Sequence, residues 1–449
     1  MSYEPDPDRG IREQLLRLAR AAGAEAADVV AMRAQTLDVS VRKGALEDAA
    51  RAESFGVGLR VFKGKRQAYG SSADTSPEGL QRLAEQVSAM CGAVPEDPFT
   101  RLAEPAEMAR GWIIPDLYDA APALSVAQLG DLARAAEDAA LAQSGITNSD
   151  GAGAGQSVHW IGLSTSTGFS GGYAHGGTHV SLGVIAGKGD GMETDHASAQ
   201  ATYATDLEKP ESVGLRAATR TLARLGARPG KTGAFPVVFD RRIAASLLRT
   251  LSRAISGPRQ AKGTSFWQER IGTAVCASAI TVIDDPLKPR GLRSVPFDAE
   301  SLPVARRAMV ENGVLNGLYL DLRSAGRLGL TPSGHASRGL SSPPGPNPSN
   351  LWIAAGTVTR DDMIAGIDEG FLVTELMGAS ISLSTGDYSR GASGFWIRGG
   401  KVVHPVAEMT IAGNLKDMFL NMVPADDLEF RDGVDSPSLL VMGMTVATR

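Results

Sequence analysis

The chain has 449 residues, 43% of them hydrophobic and 21% charged, with a formal net charge of −5. That length predicts two or three domains, and the composition predicts folded globular protein rather than disorder. The acidic balance and the lack of any dense Lys/Arg block exclude a protein that takes its affinity from nucleic-acid phosphates, and no run approaches the ~18 apolar residues of a membrane helix.

The opening "MSYEPDPDRG" is polar and has no apolar signal core, so a cytoplasmic address is expected. "GIREQLLRLARAAGA" places Leu15, Leu16 and Ala19 at helical spacing, with Gly23 near the end. "QTLDVSVRKG" alternates Leu37, Val39 and Val41 as a half-buried strand does. "FGVGLRVFKGKRQAYGSSA" reads as two strands joined at Lys63-Gly64-Lys65. A helix follows in "SPEGLQRLAEQVSAM", where Ser76, Pro77 and Glu78 suit its start, and another in "SVAQLGDLARAAEDAALAQ".

From about 145 to 206 the pattern changes to short strands separated by Gly-rich turns. The helix "SVGLRAATRTLARLGA" closes that segment. The strand "AFPVVFD" and the helix "RRIAASLLRTLSRAISG" open the next. The remainder is strand-dominated. "ARRAMVENGVLNGLYLDL" predicts a hairpin turning at Asn312-Gly313, and "GFWIRGGKVVHPVAEMTI" one turning at Gly399-Gly400. Between them "SSPPGPNPSN", residues 341–350, reads as an exposed loop or flexible flap. The expected architecture is α+β: a mixed α/β N-terminal domain over 1–115, a strand-rich central segment with flanking helices over 116–228, and a β-sheet-based domain over 229–449.

Four features invite a chemical reading. In "YAHGGTHVSL", His175 and His179 stand four apart. Four residues along a strand span roughly 13 Å, too far for one metal ion, so they read as histidines flanking a hairpin turn at Gly176-Gly177. "GFSGG", with Ser170, fits G-x-S-x-G, but strand rather than helix follows it, which favours a β-turn over a nucleophile elbow. "GAGAG" at 151–155 reads as a flexible turn, without the spacing of a dinucleotide loop. In "PVAEMTIAGNLKDMF" a strand ends near Ile411 and Gly413-Asn414 begins a short helix, so Thr410, Gly413 and Asn414 are candidates for a peptide cleft or an interface. Cys91 and Cys276 lie far apart and make neither a disulfide framework nor a zinc cluster. No residues in this reading form a self-sufficient catalytic set.

"DEGFLVTELMG", "GDYSRGASGFWIRGGKVVHPVAEMTIAGNLKDMF" and "DSPSLLVMGMTVA" resemble the TldD/PmbA family, also called peptidase U62 or modulator of DNA gyrase. "GVLNGLYLDLRSAGRLGLTPSGHASR" and "ITVIDDP" fit it too, and "GVGLRVFKGKRQAYGSSADTSPEGL" with "PEDPF" is similar to its N-terminal domain. The resemblance implies a two-subunit cytoplasmic metalloprotease. Its catalytic subunit carries H-E-x-x-x-H on a helix before a K-G-T-S stretch, with a further cysteine ligand near the C-terminus. Here "KGTS" is present at Lys262–Ser265, but Arg249, Thr250 and Ala254 stand at the signature positions and "DSPSLLVMG" holds no cysteine. Arginine has no lone pair to give a metal, and threonine is no general base near neutral pH.

The chain therefore resembles the PmbA/TldE-type subunit. That implies no catalytic residue and no metal or other cofactor of its own, zinc in a TldD-like partner, and a role in completing a chamber for unfolded peptides. The expected partners are that catalytic subunit and a peptide, with a homodimer in isolation, and neither nucleic acid nor membrane. Two alternatives stay open: a non-catalytic homodimeric peptide-binding protein without a protease partner, and an independent hydrolase using Ser170 or the His175/His179 pair.

Overall fold

The computed structural model describes residues 6–448 and is an α+β fold built on three sheets of five or six strands, with one further two-stranded pair. The first sheet has six strands in the order β3-β2-β1-β4-β5-β6, with β1 Ala26–Arg42, β2 Ala45–Lys63, β3 Arg66–Ser72, β4 Ile146–Thr165, β5 Ser170–Ala186 and β6 Glu193–Ala201. It is antiparallel throughout and takes strands from both sides of residue 115. Helices α1 (Arg9–Ala21), α2 (Pro77–Ala93), α3 (Val126–Leu141) and α4 (Pro210–Ala223) supply its helical layer.

The pleat explains that layer. Alternate residues of β1 point to one face. Val29 and Ala31 pack with Leu15, Leu80 and Leu83, while Val39 and Val41 pack with Leu129, Ala133 and Val213. All four helices thus cover the same face. On the other face Leu163 and Tyr173 meet Phe297 and Leu302 of the C-terminal domain. The segment between α2 and α3 has no helix or strand of its own and serves as mortar at this junction: Ala109 N–H donates to Ser301 O at 2.8 Å, and Gly176 N–H donates to Leu117 O at 2.7 Å.

The central segment differs from expectation. Its strands are long, not short: β4 has 20 residues and β5 has 17. "GAGAG" is no turn but the middle of β4, with buried Ala152 and Ala154 on the helical face. The glycines take the opposite face, where a Cβ on Gly155 would collide with Asp38 and His179. His175 and His179 likewise lie within one uninterrupted strand, with no turn at Gly176-Gly177.

The C-terminal domain begins with β7 (Gly233–Phe239) and α5 (Arg241–Ala254), followed by α6 (Gly257–Ala261). Strands β8 (Val282–Asp284), β9 (Arg307–Glu311) and β10 (Val314–Leu315) come next, then α7 (Leu322–Leu328), the two-residue pair β11 (Ala336–Ser337) and β12 (Gly345–Pro346), and β13 (Leu351–Ile353). After α8 (Arg360–Ala365) the chain forms β14 (Glu369–Ile381), β15 (Asp387–Arg398) and β16 (Lys401–Asn414). It closes with α9 (Leu415–Leu420), β17 (Met422–Pro424), β18 (Val434–Asp435) and β19 (Leu439–Thr448). The small sheet runs β10-β9-β8-β13-β18, and the large one β16-β15-β14-β7-β19-β17. Because β16 also pairs with β19, the large sheet closes into a five-stranded barrel from which β17 branches. Both anticipated hairpins are present, and Asn312, Gly313, Gly399 and Gly400 all have positive φ, as tight turns require.

Residues 341–350 are tied down at both ends rather than forming a flap. Leu340 lies across Gly58 so closely that any side chain there would strike the Leu340 carbonyl. At the other end Ser349 N–H donates to Asp284 Oδ2 at 3.0 Å, and Asn350 Nδ2 donates to Ser294 Oγ at 2.7 Å.

A buried ionic cluster joins the first sheet to the C-terminal loops. Asp28 of β1 accepts from Arg60 Nε of β2 at 2.9 Å and from Arg338, and Arg60 Nη1 lies 3.6 Å from Glu300 Oε1. Burial pushes the Asp28 carboxyl up, but Arg338 and Arg60 outweigh it and hold it below the usual range. Glu300 goes the other way: burial outweighs Arg60 and drives it up to about 8. A carboxyl raised on folding stabilises the fold fully below its unfolded value and loses that contribution as pH rises through the folded value. Wild-type stability relative to Glu300→Gln is therefore expected to fall between about pH 4.5 and pH 8, read from urea midpoints along a pH series. A constant difference between the two proteins across that window would refute the assignment.

Candidate functional site: helix 241–254 and its surroundings

Helix α5 carries Arg249, Thr250 and Ala254. Asp240 caps it, accepting from Arg242 N–H at 3.0 Å, and Leu247, Leu248 and Leu251 anchor it in the main core. Thr250 and Ala254 face inward. The Thr250 hydroxyl donates to Ser246 O at 2.9 Å, and Ala254 is fully buried. Arg249 is exposed, and its charge, after the larger effect of burial, helps to depress the guanidinium of Arg293. The "KGTS" stretch has a structural task here. Ser265 Oγ donates to Ala254 O at 2.8 Å, so this loop closes the C-terminal end of α5, with Gln260 Nε2 donating to the same carbonyl at 2.9 Å.

Across from α5, the segment expected to bring a cysteine brings serines. Ser438 donates its N–H and hydroxyl to Asp427 at 2.7 and 2.8 Å, and its Oγ accepts from Arg241 N–H. A guanidinium, a buried hydroxyl already bonded to its own helix, a methyl and a serine make no donor set for zinc. Among the described residues, no group of three His, Cys, Asp or Glu is gathered as a metal site. Cys91 and Cys276 are both buried, and burial raises both thiols, Cys276 to about 12, far from reactive thiolates.

The other candidates are held apart. His179 is exposed, 3.8 Å from Asp38 Oδ1, while half-buried His175 places Nε2 3.4 Å from Gly291 O. The partner of His175 in space is His159, directly opposite on β4, a pairing that sequence spacing does not reveal. Burial, with a smaller contribution from His159, lowers the pKa of His175. Ser170 opens β5 and sits 3.1 Å from Ser164 Oγ, itself bonded to Arg12, and among the described residues no His, Asp or Glu is hydrogen-bonded to it. The hydrolase elbow is absent from this turn.

Thr410 pairs in β16 with both Gly391 and Ala447, at the seam of the barrel. Gly413 lies opposite Tyr388. Asn414 caps α9: its Oδ1 accepts from Lys416 N–H at 3.1 Å and its Nδ2 donates to Thr385 O at 3.3 Å, while Leu415 N–H donates to Gly386 O at 2.7 Å. The donors that made this turn attractive from the sequence are used within the turn.

Two features fit an extended chain. Among the described residues the outer edge of β2 has no strand partner over residues 45–56, because β3 covers only Val57–Lys63. Beside it a groove of about 920 Å³ crosses β2, β1 and β4 between the two helix pairs, lined by Arg33, Leu37, Gln156, Trp160 and Tyr118 among others.

Comparison with known proteins agrees with this architecture. Residues 232–448 match the PmbA/TldA metallopeptidase C-terminal domain, 27–91 match domain 1 and 119–225 match the central domain. Metalloprotease PmbA of Escherichia coli O157:H7 is 34% identical over 426 residues, 94% of this chain and 92% of that protein. The Haemophilus influenzae PmbA homologue is 31% identical over 436 residues, 96% and 94% of the two chains. A Bacteroides thetaiotaomicron crystal structure, named as a modulator of DNA gyrase, superposes with a TM-score of 0.91 at 24% identity over 99% of each chain. TldE from Thermococcus kodakarensis does so at 0.85 and 22% identity, over 97% and 100%. The chain belongs to the PmbA/TldD metallopeptidase family.

The capping role of Asn414 is testable. Asn414→Ala is expected to cost about 1 kcal/mol of stability, the usual value of a helix N-cap, measured by urea denaturation. An unchanged midpoint would free the side chain for a ligand role instead.

Proposed function

We propose that this chain is the metal-free subunit of a two-subunit cytoplasmic metalloprotease, that a TldD-like partner supplies the zinc, and that the substrates are unfolded peptides. The observation that carries this reading is α5, which offers Arg249, Thr250 and Ala254 where the resemblance implies the ligands of a metal helix. Amide hydrolysis near neutral pH needs an activated water or nucleophile, and neither a guanidinium nor a bonded threonine hydroxyl provides one.

The chain's own contribution is positioning and enclosure. An unfolded peptide pairs with a free strand edge through main-chain hydrogen bonds, largely without regard to sequence. The unpaired edge of β2 and the adjoining groove are suited to this. A subunit that orders the scissile peptide and excludes water raises the rate without moving a proton itself.

The test is hydrolysis of a flexible peptide by this chain, by a TldD-type partner and by both, with zinc measured in each. The expected result is no cleavage and no stoichiometric zinc in this chain alone, and stronger cleavage by the mixture than by the partner. Chelator-resistant cleavage by this chain alone would overturn the proposal. A mixture no more active than the partner would favour the peptide-holding homodimer.

A further inference from the structure

Between α4, β6, the start of α5 and residues 429–436 lies a small cavity of about 200 Å³ that the subunit reading does not use. Five guanidinium groups line it: Arg216 and Arg220 from α4, Arg241 and Arg242 from α5, and Arg431. Like charges gathered in one enclosure repel unless opposite charge answers them, so the partners of each arginine decide what the cavity can hold.

Three carboxylates pair with four of the five. Glu208 takes Arg216 and lies 3.0 Å from Arg431 Nη1. Glu429 takes Arg241 and lies 2.6 Å from Arg431 Nη2, and Asp195 Oδ1 is 2.8 Å from Arg242 Nη1. The other nearby carboxyls are engaged elsewhere. Asp435, in the lining, accepts the backbone N–H groups of Arg431 and Asp432 at 2.9 and 3.0 Å, and burial holds its carboxyl above the usual range. Asp432 accepts from Gln200 Nε2 at 3.0 Å, and Asp240 faces Arg360 at 3.1 Å. Arg220 is left over. It donates from Nη1 to His196 O at 3.3 Å and, among the described residues, forms no ion pair. Burial, and after it the charge of Arg242, pushes its pKa down to about 10, so it stays a cation near neutral pH but one short of counter-charge.

The unused donors are reachable. Nε and Nη2 of both Arg220 and Arg242 make no hydrogen bond within the protein, yet none of the four is among the unpartnered nitrogens sealed from solvent. Two helices thus present open guanidinium donors to one small enclosure.

We propose that this cavity binds a phosphoryl group, as free phosphate or as a phosphorylated peptide side chain. Five guanidinium groups against three paired carboxylates leave two positive charges over, and a phosphoryl group carries about −1.5 to −2 near neutral pH. Its oxygens point in several directions and can meet donors arriving from both α4 and α5, whereas one planar carboxylate matches a single guanidinium fork. The site does not depend on the subunit reading, because it requires neither a partner nor metal.

Calorimetric titration of the full chain at constant ionic strength tests it, with sodium phosphate, a capped Ala-phosphoserine-Ala peptide, the same peptide unphosphorylated, and succinate. Saturable binding of phosphate or of the phosphopeptide is expected, and the tighter of the two identifies the source. Arg220→Gln is expected to weaken it about tenfold or more, as loss of charge-assisted bonds does, at a near-wild-type urea midpoint because no internal ion pair is lost. Arg20→Gln removes an exposed cation of α1 with the same change in net charge and is expected to leave binding unchanged. The unphosphorylated peptide and succinate are expected not to saturate; that comparison uses the unaltered protein and does not depend on either variant folding. Equal affinity for succinate and phosphate, equal effects of the two substitutions, or no saturable binding of either phosphorylated probe at millimolar concentration would overturn the proposal.

Discussion

The arrangement of the molecule turns on four ionisable groups taken out of water together: Asp28 charged between Arg60 and Arg338, and Glu300, whose carboxyl burial pushes up to about 8. Asp28 and Arg60 belong to adjacent strands of the first sheet, whereas Glu300 and Arg338 arrive on C-terminal loops. A buried guanidinium or carboxylate is tolerable only when paired, and removing one member strands the others at a cost of about 3–5 kcal/mol. The cluster therefore ties the stability of each part to correct docking of the other. It also sets the docking position. Apolar contacts such as Phe297 against Tyr173 tolerate small shifts, but hydrogen-bonded ion pairs do so only within a few tenths of an ångström.

Other features depend on that docking. Glu300 Oε2 accepts from Leu322 N–H at 2.7 Å, so the same carboxyl that faces Arg60 also starts α7. Leu340 lies flat on Gly58, and Arg338, two residues earlier, reaches the Gly58 carbonyl. Closure of the barrel by the β16–β19 pairing acts in the same direction. It buries Trp396 against Phe235 and holds β7, from which α5 departs, in a fixed place.

Helix α5 is held in place by capping and packing contacts. The helix keeps its cap, its leucine anchor and the "KGTS" loop that closes its end, all of which serve packing. Of the three residues where the resemblance implies metal ligands, two have a use within the fold. Thr250 bonds its own helix, Ala254 fills the core, and Arg249 points to solvent. Family membership and local chemistry therefore make separate statements, and the second is decided residue by residue.

Much of this was legible in the order of residues alone. Helix positions followed from 3.6-residue periodicity and from caps such as Ser76-Pro77, and the hairpins at Asn312-Gly313 and Gly399-Gly400 from the positive φ those turns demand. These are properties of a residue and its near neighbours, so a linear reading captures them. The errors came where glycine was taken as punctuation. "GAGAG" and Gly176-Gly177 are strand; at Gly155 the missing Cβ makes room for Asp38 and His179, and that crowding belongs to partners on neighbouring strands. The opposition of His159 and His175, the pinning of residues 341–350, the closed barrel and the Asp28–Arg60–Arg338–Glu300 cluster were likewise set only by tertiary structure. Their partners lie tens to hundreds of positions apart, and no local pattern encodes a contact whose energy arises only when both groups leave water together.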